Sequence, residues 1–337
     1  MITIIIYINN TKSIKMIPKA HFTPIRERVL LPLFTSLLML FSGQSTAANY
    51  PHAWLSPLLQ EHPLSGMIVN LQTSEPVDSA QLIEQLNAQT HVLIGENHDN
   101  PDHHMIESFL IKTLSEHQPR RAVFEMLSEE NIDAARTLLP EDSAEAIYEK
   151  LNWKENRWPW EDYRGAITQA VRYGKGVVPG NISRKTIRLI YKSPSALDRP
   201  DLATVEQIPE SATQIIAEQI ISSHCGMIKD AQLSSMNNIQ LAKDARMAHV
   251  MAGDRSSPSL LIAGSFHTRK DVGVPLHLTA LSQQSVSLAL VEVAEDKRQI
   301  ADYLDHTQAD FAWFTPRQPR EDHCEKMREM MNKKPTK

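Results

Sequence analysis

The sequence predicts an α/β protein: an open, mostly parallel sheet flanked by helices, with a helical lobe inserted at about 128–235. Three observations predict it. Short apolar runs recur along the chain, continuous rather than alternating, as strands covered on both faces are. Helical patterns lie between them, the alternation of a layered α/β sheet. The middle of the chain differs, being mostly helical in pattern, with aromatic and proline-rich patches and few strand signals.

Taken in order, the predicted strands are Met67–Leu71, His91–Gly95, Ala122–Met126, Gly176–Pro179, Leu260–Gly264 and Ser287–Val293. After the second strand, Asn100-Pro101 makes a helix start, with Asn as cap and Pro in the first turn. Ile106, Phe109, Leu110, Thr113 and Leu114 then recur at three and four residues, one apolar stripe. The lobe carries Trp153, Trp158-Pro159-Trp160 and Tyr163, and Met236–Met251 forms a helix before the Leu260 strand. The last dozen residues, rich in Lys, Arg, Glu and Met, read as a solvated tail. No fixed-period repeat or low-complexity tract is present.

The chain has 337 residues, 42% of them hydrophobic, and a formal net charge of −5, so nothing globally basic invites nucleic acid. The N-terminus reads as a signal peptide over residues 1–47. Lys12, Lys15, Lys19, Arg26 and Arg28 stand against Glu27, Val29 to Phe41 are uncharged, and small residues up to Ala47 and Ala48 offer cleavage positions. Met16 is a second candidate start. The apolar run is shorter than the roughly 20 residues that span a bilayer, so no stable membrane span is expected after cleavage. Residues 48–337 would then be an acidic, exported, periplasmic domain. Export would permit a bridge between Cys225 and Cys324, the only cysteines, though nothing in the sequence brings them together. No cysteine follows the apolar run, so lipid attachment there is excluded.

One constellation carries chemistry. The second strand runs into Gly95-Glu96-Asn97-His98, and the Leu260 strand into Gly264-Ser265-Phe266-His267, with Glu125 near the end of the strand between them. Residues just past the C-terminal strand edges of an open parallel sheet face a common crevice, and glycine at a strand exit allows a sharp turn. Glu96, His98, Glu125 and His267 would therefore meet at one pocket, suited to a divalent metal ion or to acid–base work. A lone G-x-x-H means little, and a histidine near a strand end is more often structural. Repetition after two apolar strands is what gives the set weight. No phosphate loop or G-x-S-x-G nucleophile elbow is present.

The stretches His91–Met126 and Leu260–Leu276 resemble the ChaN-like haem-binding uptake family of the Tiki superfamily, related to TraB and erythromycin-esterase-like proteins. Trp160–Tyr163, Gly176–Arg184, Gln240–Ala248 and Ala309–Thr315 are similar to further family blocks. The resemblance implies an exported α/β protein with a helical lobe, non-covalent haem binding in haem or iron uptake, and a homodimer linked to haem. Many ChaN-like proteins are lipoproteins; this chain departs from them in lacking the lipidation cysteine. The wider superfamily also includes metal-dependent hydrolases. On that analogy Glu96, His98, Glu125 and His267 would be the hydrolytic and metal-binding set.

Haem needs an apolar slot, an axial ligand and cations for its propionates. Tyr163 and His224 are the preferred ligand candidates, with Tyr173 and Tyr191 as further phenols and Arg184, Lys185 and Arg188 nearby. Arg269, after the second G-x-x-H, could bind a carboxylate of haem or substrate. His103 and His104 open a helix, where the dipole disfavours an imidazolium, and read as surface residues. Asp244 and Met247 read as helix-face packing.

Overall fold

The computed structural model describes residues 53–155, 157–254 and 257–332; the predicted signal peptide, with its cleavage positions, lies outside them. The sheet contains β1 (Ile68–Asn70), β2 (Glu75–Val77), β3 (His91–Glu96), β4 (Arg121–Ser128), β5 (Val177–Asn181), β6 (Ser259–Gly264), β7 (Val286–Glu292) and β8 (Phe311–Thr315). Their order is β2-β1-β8-β7-β3-β6-β4-β5. From β8 to β5 every neighbouring pair is parallel, and β1 runs antiparallel to both β8 and β2. All six predicted strands are present. The two unpredicted ones extend the sheet beyond β7: β2 is a short Glu-Pro-Val edge, and β8 is an aromatic run, Phe-Ala-Trp-Phe-Thr.

The helices are α1 (Ser79–Asn87), α2 (Pro101–His117), α3 (Ile132–Ala135), α4 (Ala144–Leu151), α5 (Trp160–Tyr173), α6 (Arg184–Lys192), α7 (Glu210–Ser223), α8 (Asp230–Ala252), α9 (Val274–Ala280) and α10 (His323–Asn332). The predicted lobe is divided rather than continuous. β5 leaves it to pair with β4 at the sheet edge, so α3–α5 precede that strand and α6–α8 follow it.

Strand side chains alternate between faces, and here both faces are covered. Val92 and Ile94 of β3 pack with Leu82, Ile106, Leu110 and Ala166, from α1, α2 and α5. Leu93 points the other way, against Met247, Met251 and Leu278 of α8 and α9. That explains the unbroken apolar runs, since each fully buried aliphatic side chain contributes about 1.5–3 kcal/mol on either face. On the outer side of α8, Ile190 of α6 and Ile216 and Ile220 of α7 form an outer core with Ile239 of α8.

Local chemistry fixes the elements that position the site. Asn100 caps α2 as predicted, its side chain accepting from the backbone N–H groups of Asp102 at 2.9 Å and His103 at 3.3 Å. The C-terminal segment is not a free tail: Cys324, on α10, forms a disulfide with Cys225 across 99 residues, with a Cα–Cα distance of 5.6 Å.

Candidate functional site

Strand parity sends the two buried glutamates to opposite faces. Glu96 lies two residues beyond Ile94 and faces α2 and α5, whereas Glu125 lies two beyond Val123 and faces α8. His98 spans the strand ends between them. Its Nδ1 is 2.8 Å from Glu96 Oε1 and its Nε2 is 3.9 Å from Glu125 Oε2. The edge of Trp158 packs against its ring, with centroids 4.7 Å apart.

On the α2 side, Glu96 Oε1 also accepts from the Tyr163 hydroxyl at 3.0 Å. Its other oxygen, Oε2, lies 3.0 Å from His104 Nδ1. That same Nδ1 is 3.4 Å from Glu107 Oε2, and His104 Nε2 is 3.2 Å from the His98 carbonyl oxygen. Glu96 Oε2 and Glu107 Oε1 are buried without an aligned hydrogen-bond donor, so the 3.0 Å approach of His104 to Glu96 is an ion-pair contact. Burial alone would raise the Glu96 carboxyl, but His104 and His98 hold it well below the usual range. Burial and the Glu96 charge push Glu107 well up. His104 is raised well above an ordinary imidazole because Glu107 and Glu96 outweigh its burial.

On the α8 side a second chain of contacts runs Asp244–His267–Glu125. His267 Nδ1 is 2.5 Å from Asp244 Oδ1, and its Nε2 is 3.3 Å from Glu125 Oε1. The Gly264 N–H donates to Glu125 Oε2 at 3.0 Å, and Lys243 Nζ stands 3.8 Å from Oε1. Burial opposes the charge on His267, yet Glu125 and Asp244 raise it to about 10. Glu125 is held well below the carboxylate range despite its burial, chiefly by His267. An imidazole between two carboxylates can hold and hand on a proton at the Glu125 end.

The paired glycines serve close approach rather than the sharp turn expected of them; neither has a positive φ. A Cβ on Gly95 would meet Thr268 Oγ1 at 2.1 Å, and one on Gly264 would meet His98 Nε2 at 2.8 Å. Glycine at these exits lets the second motif lie against the first.

Glu96, His98, Glu125 and His267 therefore share one rim, as expected. Glu96, His98 and His267 open on a cavity of about 690 Å³ whose wall includes Asp99, Ile216, Ile220, Phe266 and Arg320, whereas Glu125 lines a neighbouring hollow of about 480 Å³. Among the described residues, however, the donor atoms close enough to hold a single ion belong to Glu96, His104 and Glu107, all within 4.8 Å of one another. His98, Glu125 and His267 stand outside that group.

The haem candidates are dispersed. Tyr163 belongs to the Glu96 cluster: it is fully buried, and burial with the Glu96 charge pushes its phenol up, so it keeps its proton rather than offering a phenolate. Arg269 lines a separate hollow of about 300 Å³ and is paired with Asp271 at 2.6 Å. His224 lines a third hollow, of about 400 Å³, with Tyr191, Met227, Met236, Ile239 and Met327.

Three residues of the site escaped the sequence reading. His104, expected at the surface, is buried, as is His103, whose Nε2 meets Thr315 Oγ1 at 2.9 Å. Burial lowers His103 to about 3, leaving it neutral and compatible with the helix N-terminus. Glu107 follows His104 by three residues and so shares its helix face; a buried-stripe position occupied by Glu was the available signal. Asp244, expected in helix-face packing, instead meets His267, which comes from a loop 23 residues away.

A family model described as haem-binding uptake, Tiki superfamily, ChaN matches residues 82–278, which include every residue of both clusters. No curated protein matches the chain. Among solved structures, ChaN of Campylobacter jejuni, described for cofacial haem binding, is 24% identical. The match covers 73% of this chain and 95% of that one with a TM-score of 0.60, a shared fold. An erythromycin esterase mutant in its open conformation is 10% identical, covering 73% of this chain and 95% of that one at a TM-score of 0.44. The chain belongs to the ChaN family of haem-binding uptake proteins in the Tiki superfamily.

Proposed function

We propose that this protein binds haem reversibly and non-covalently in the hollow that holds His224, and that it serves haem or iron uptake after export. The observation that carries the reading is the state of the His224 ring. Its Nδ1 lies 2.7 Å from the Ile220 carbonyl oxygen, which can only accept. Nδ1 therefore carries the proton, and Nε2 is the lone-pair nitrogen, the arrangement of a metal-ligating histidine oriented by a backbone carbonyl. Around it lie Tyr191 and three methionines, a mostly apolar wall with donors that suit haem iron.

Cations are at hand for the propionates. Arg188 is exposed on α6, three residues before Tyr191 and so on the same side of that helix. In the larger cavity the guanidinium of Arg320 is already held by Asp99 and Glu292, so it is not free for a propionate. A homodimer would cover Leu189, Tyr191 and Ile221, apolar side chains exposed on α6 and α7. Export is supported by the predicted signal peptide and by the Cys225–Cys324 bridge, since such bridges persist in oxidising compartments. No helix among the described residues is long and apolar enough to cross a membrane.

Titrating the purified protein with hemin tests the proposal. A saturable Soret change is expected, weakened at least tenfold in His224→Ala and less in Tyr191→Phe. Binding unchanged in both variants would refute it. One observation favours a second reading, a hydrolase: His267, the middle of the Asp244–His267–Glu125 chain, lines the larger cavity. In that reading Glu125→Gln and His267→Ala each abolish turnover of an ester or peptide substrate while leaving hemin binding intact.

A further inference from the structure

We infer that a divalent cation of the zinc class is held inside the fold by Glu96, His104 and Glu107. The site shares no residue with the His224 hollow, so it stands or falls apart from the haem proposal. It also differs from the four-residue set expected at the rim, retaining only Glu96.

The argument begins with the His104 tautomer. Its Nε2 is 3.2 Å from the His98 carbonyl oxygen, which cannot donate, so Nε2 carries a proton. In the neutral ring Nδ1 is then a bare lone pair, facing Glu96 Oε2 at 3.0 Å and Glu107 Oε2 at 3.4 Å. The ligand atoms of the three buried residues lie within 4.8 Å of one another. Zinc bound tetrahedrally at about 2.0–2.1 Å places its ligand atoms ~3.3 Å from one another, and both separations lie close to that value.

The surroundings match a prepared metal site. His98 Nδ1 and the Tyr163 hydroxyl both engage Glu96 Oε1, at 2.8 and 3.0 Å, leaving Oε2 as the oxygen that faces His104. A backbone carbonyl orients the ligating imidazole, as such histidines require. Glu96 Oε2, the oxygen facing His104, is buried with no hydrogen-bond partner, and so is Oε1 of the completely buried Glu107. Leaving a buried acceptor unsatisfied is costly, and coordination is a role for a carboxylate that needs no donor. His104 and Glu107 project from one face of α2, while Glu96 comes from the end of β3, so the cation would tie the helix to the sheet.

Protons are the competing occupants, with His104 as imidazolium and Glu107 as neutral acid. The full chain, free of haem and stripped with a chelator, is titrated with Zn²⁺ in competition with a chromophoric chelator. One tight equivalent is expected per chain, at least 100-fold weaker in Glu107→Gln and in His104→Gln. Zinc is expected to raise the melting temperature of the parent but not of Glu107→Gln. Zinc-edge absorption on the parent protein is expected to show oxygen ligands, one imidazole and no sulfur, a readout that does not depend on the variants folding. No tight zinc, equal affinity in Glu107→Gln, or more than one imidazole per zinc would overturn the inference.

Discussion

Replacing Cys225 and Cys324 together by serine is expected to destabilise the protein and weaken hemin binding at once. The bridge spans 99 residues, and for a loop of about that length the chain-entropy model gives a ceiling of ~4.7 kcal/mol at 25 °C. The measured loss should fall below that ceiling. α10 has 10 residues, short of the ~12–15 an isolated helix needs, so without the bridge it would detach and recover entropy in the native state as well. A loss of about 2–4 kcal/mol is therefore expected, the usual range for natural disulfides. Hemin affinity should fall severalfold with it, because Met327 on α10 forms one wall of the His224 hollow. Urea unfolding of parent and variant, followed by hemin titration of each, makes the test. Coincident unfolding midpoints with unchanged affinity would refute the reasoning that α10 is held by the bridge.

Further predictions concern the rim. Gly95→Ala should cost about 1–3 kcal/mol through overpacking, since its Cβ would fall 2.1 Å from Thr268 Oγ1; an unchanged urea midpoint would contradict this. Tyr163→Phe removes a donor from Glu96 at 3.0 Å and should cost about 1.5–3 kcal/mol, the worth of a hydrogen bond to a charged group, read in the same assay. The folded-state value of His267, about 10, lies above the ordinary 6.5. Its contribution to stability is thus fully present below about pH 6.5 and lost as pH rises through 10. Stability measured across that window should decline in the parent and decline less in Asp244→Asn, which removes one of the two carboxylates responsible. An identical slope in both proteins would count against the relay.

Much of the fold was legible because its strands are covered on both faces and so write unbroken apolar runs. The shared rim was legible too, because the parallel register of β3, β6 and β4 carries Glu96 and Glu125 to the same edge. What escaped the sequence depended on contacts between distant segments. His104 looked exposed from its place at a helix start, but α5 covers it with Tyr163, whose ring centroid is 4.8 Å away. Glu107 looked like a polar break in a stripe until Glu96 and His104 were seen to meet it. Asp244 gave no local sign of its partner, and the β2 edge, three residues with an internal proline, carries almost no strand signal. Glycine at a strand exit suggests conformational freedom, whereas Gly95 and Gly264 are required for what packs against them.

The most direct test of the haem account is a crystal structure of the protein loaded with hemin. The account expects the porphyrin against Met227, Met236 and Ile239, with iron within coordination distance of His224 or Tyr191. Iron bound instead at His98, inside the carboxylate-lined cavity, would contradict it.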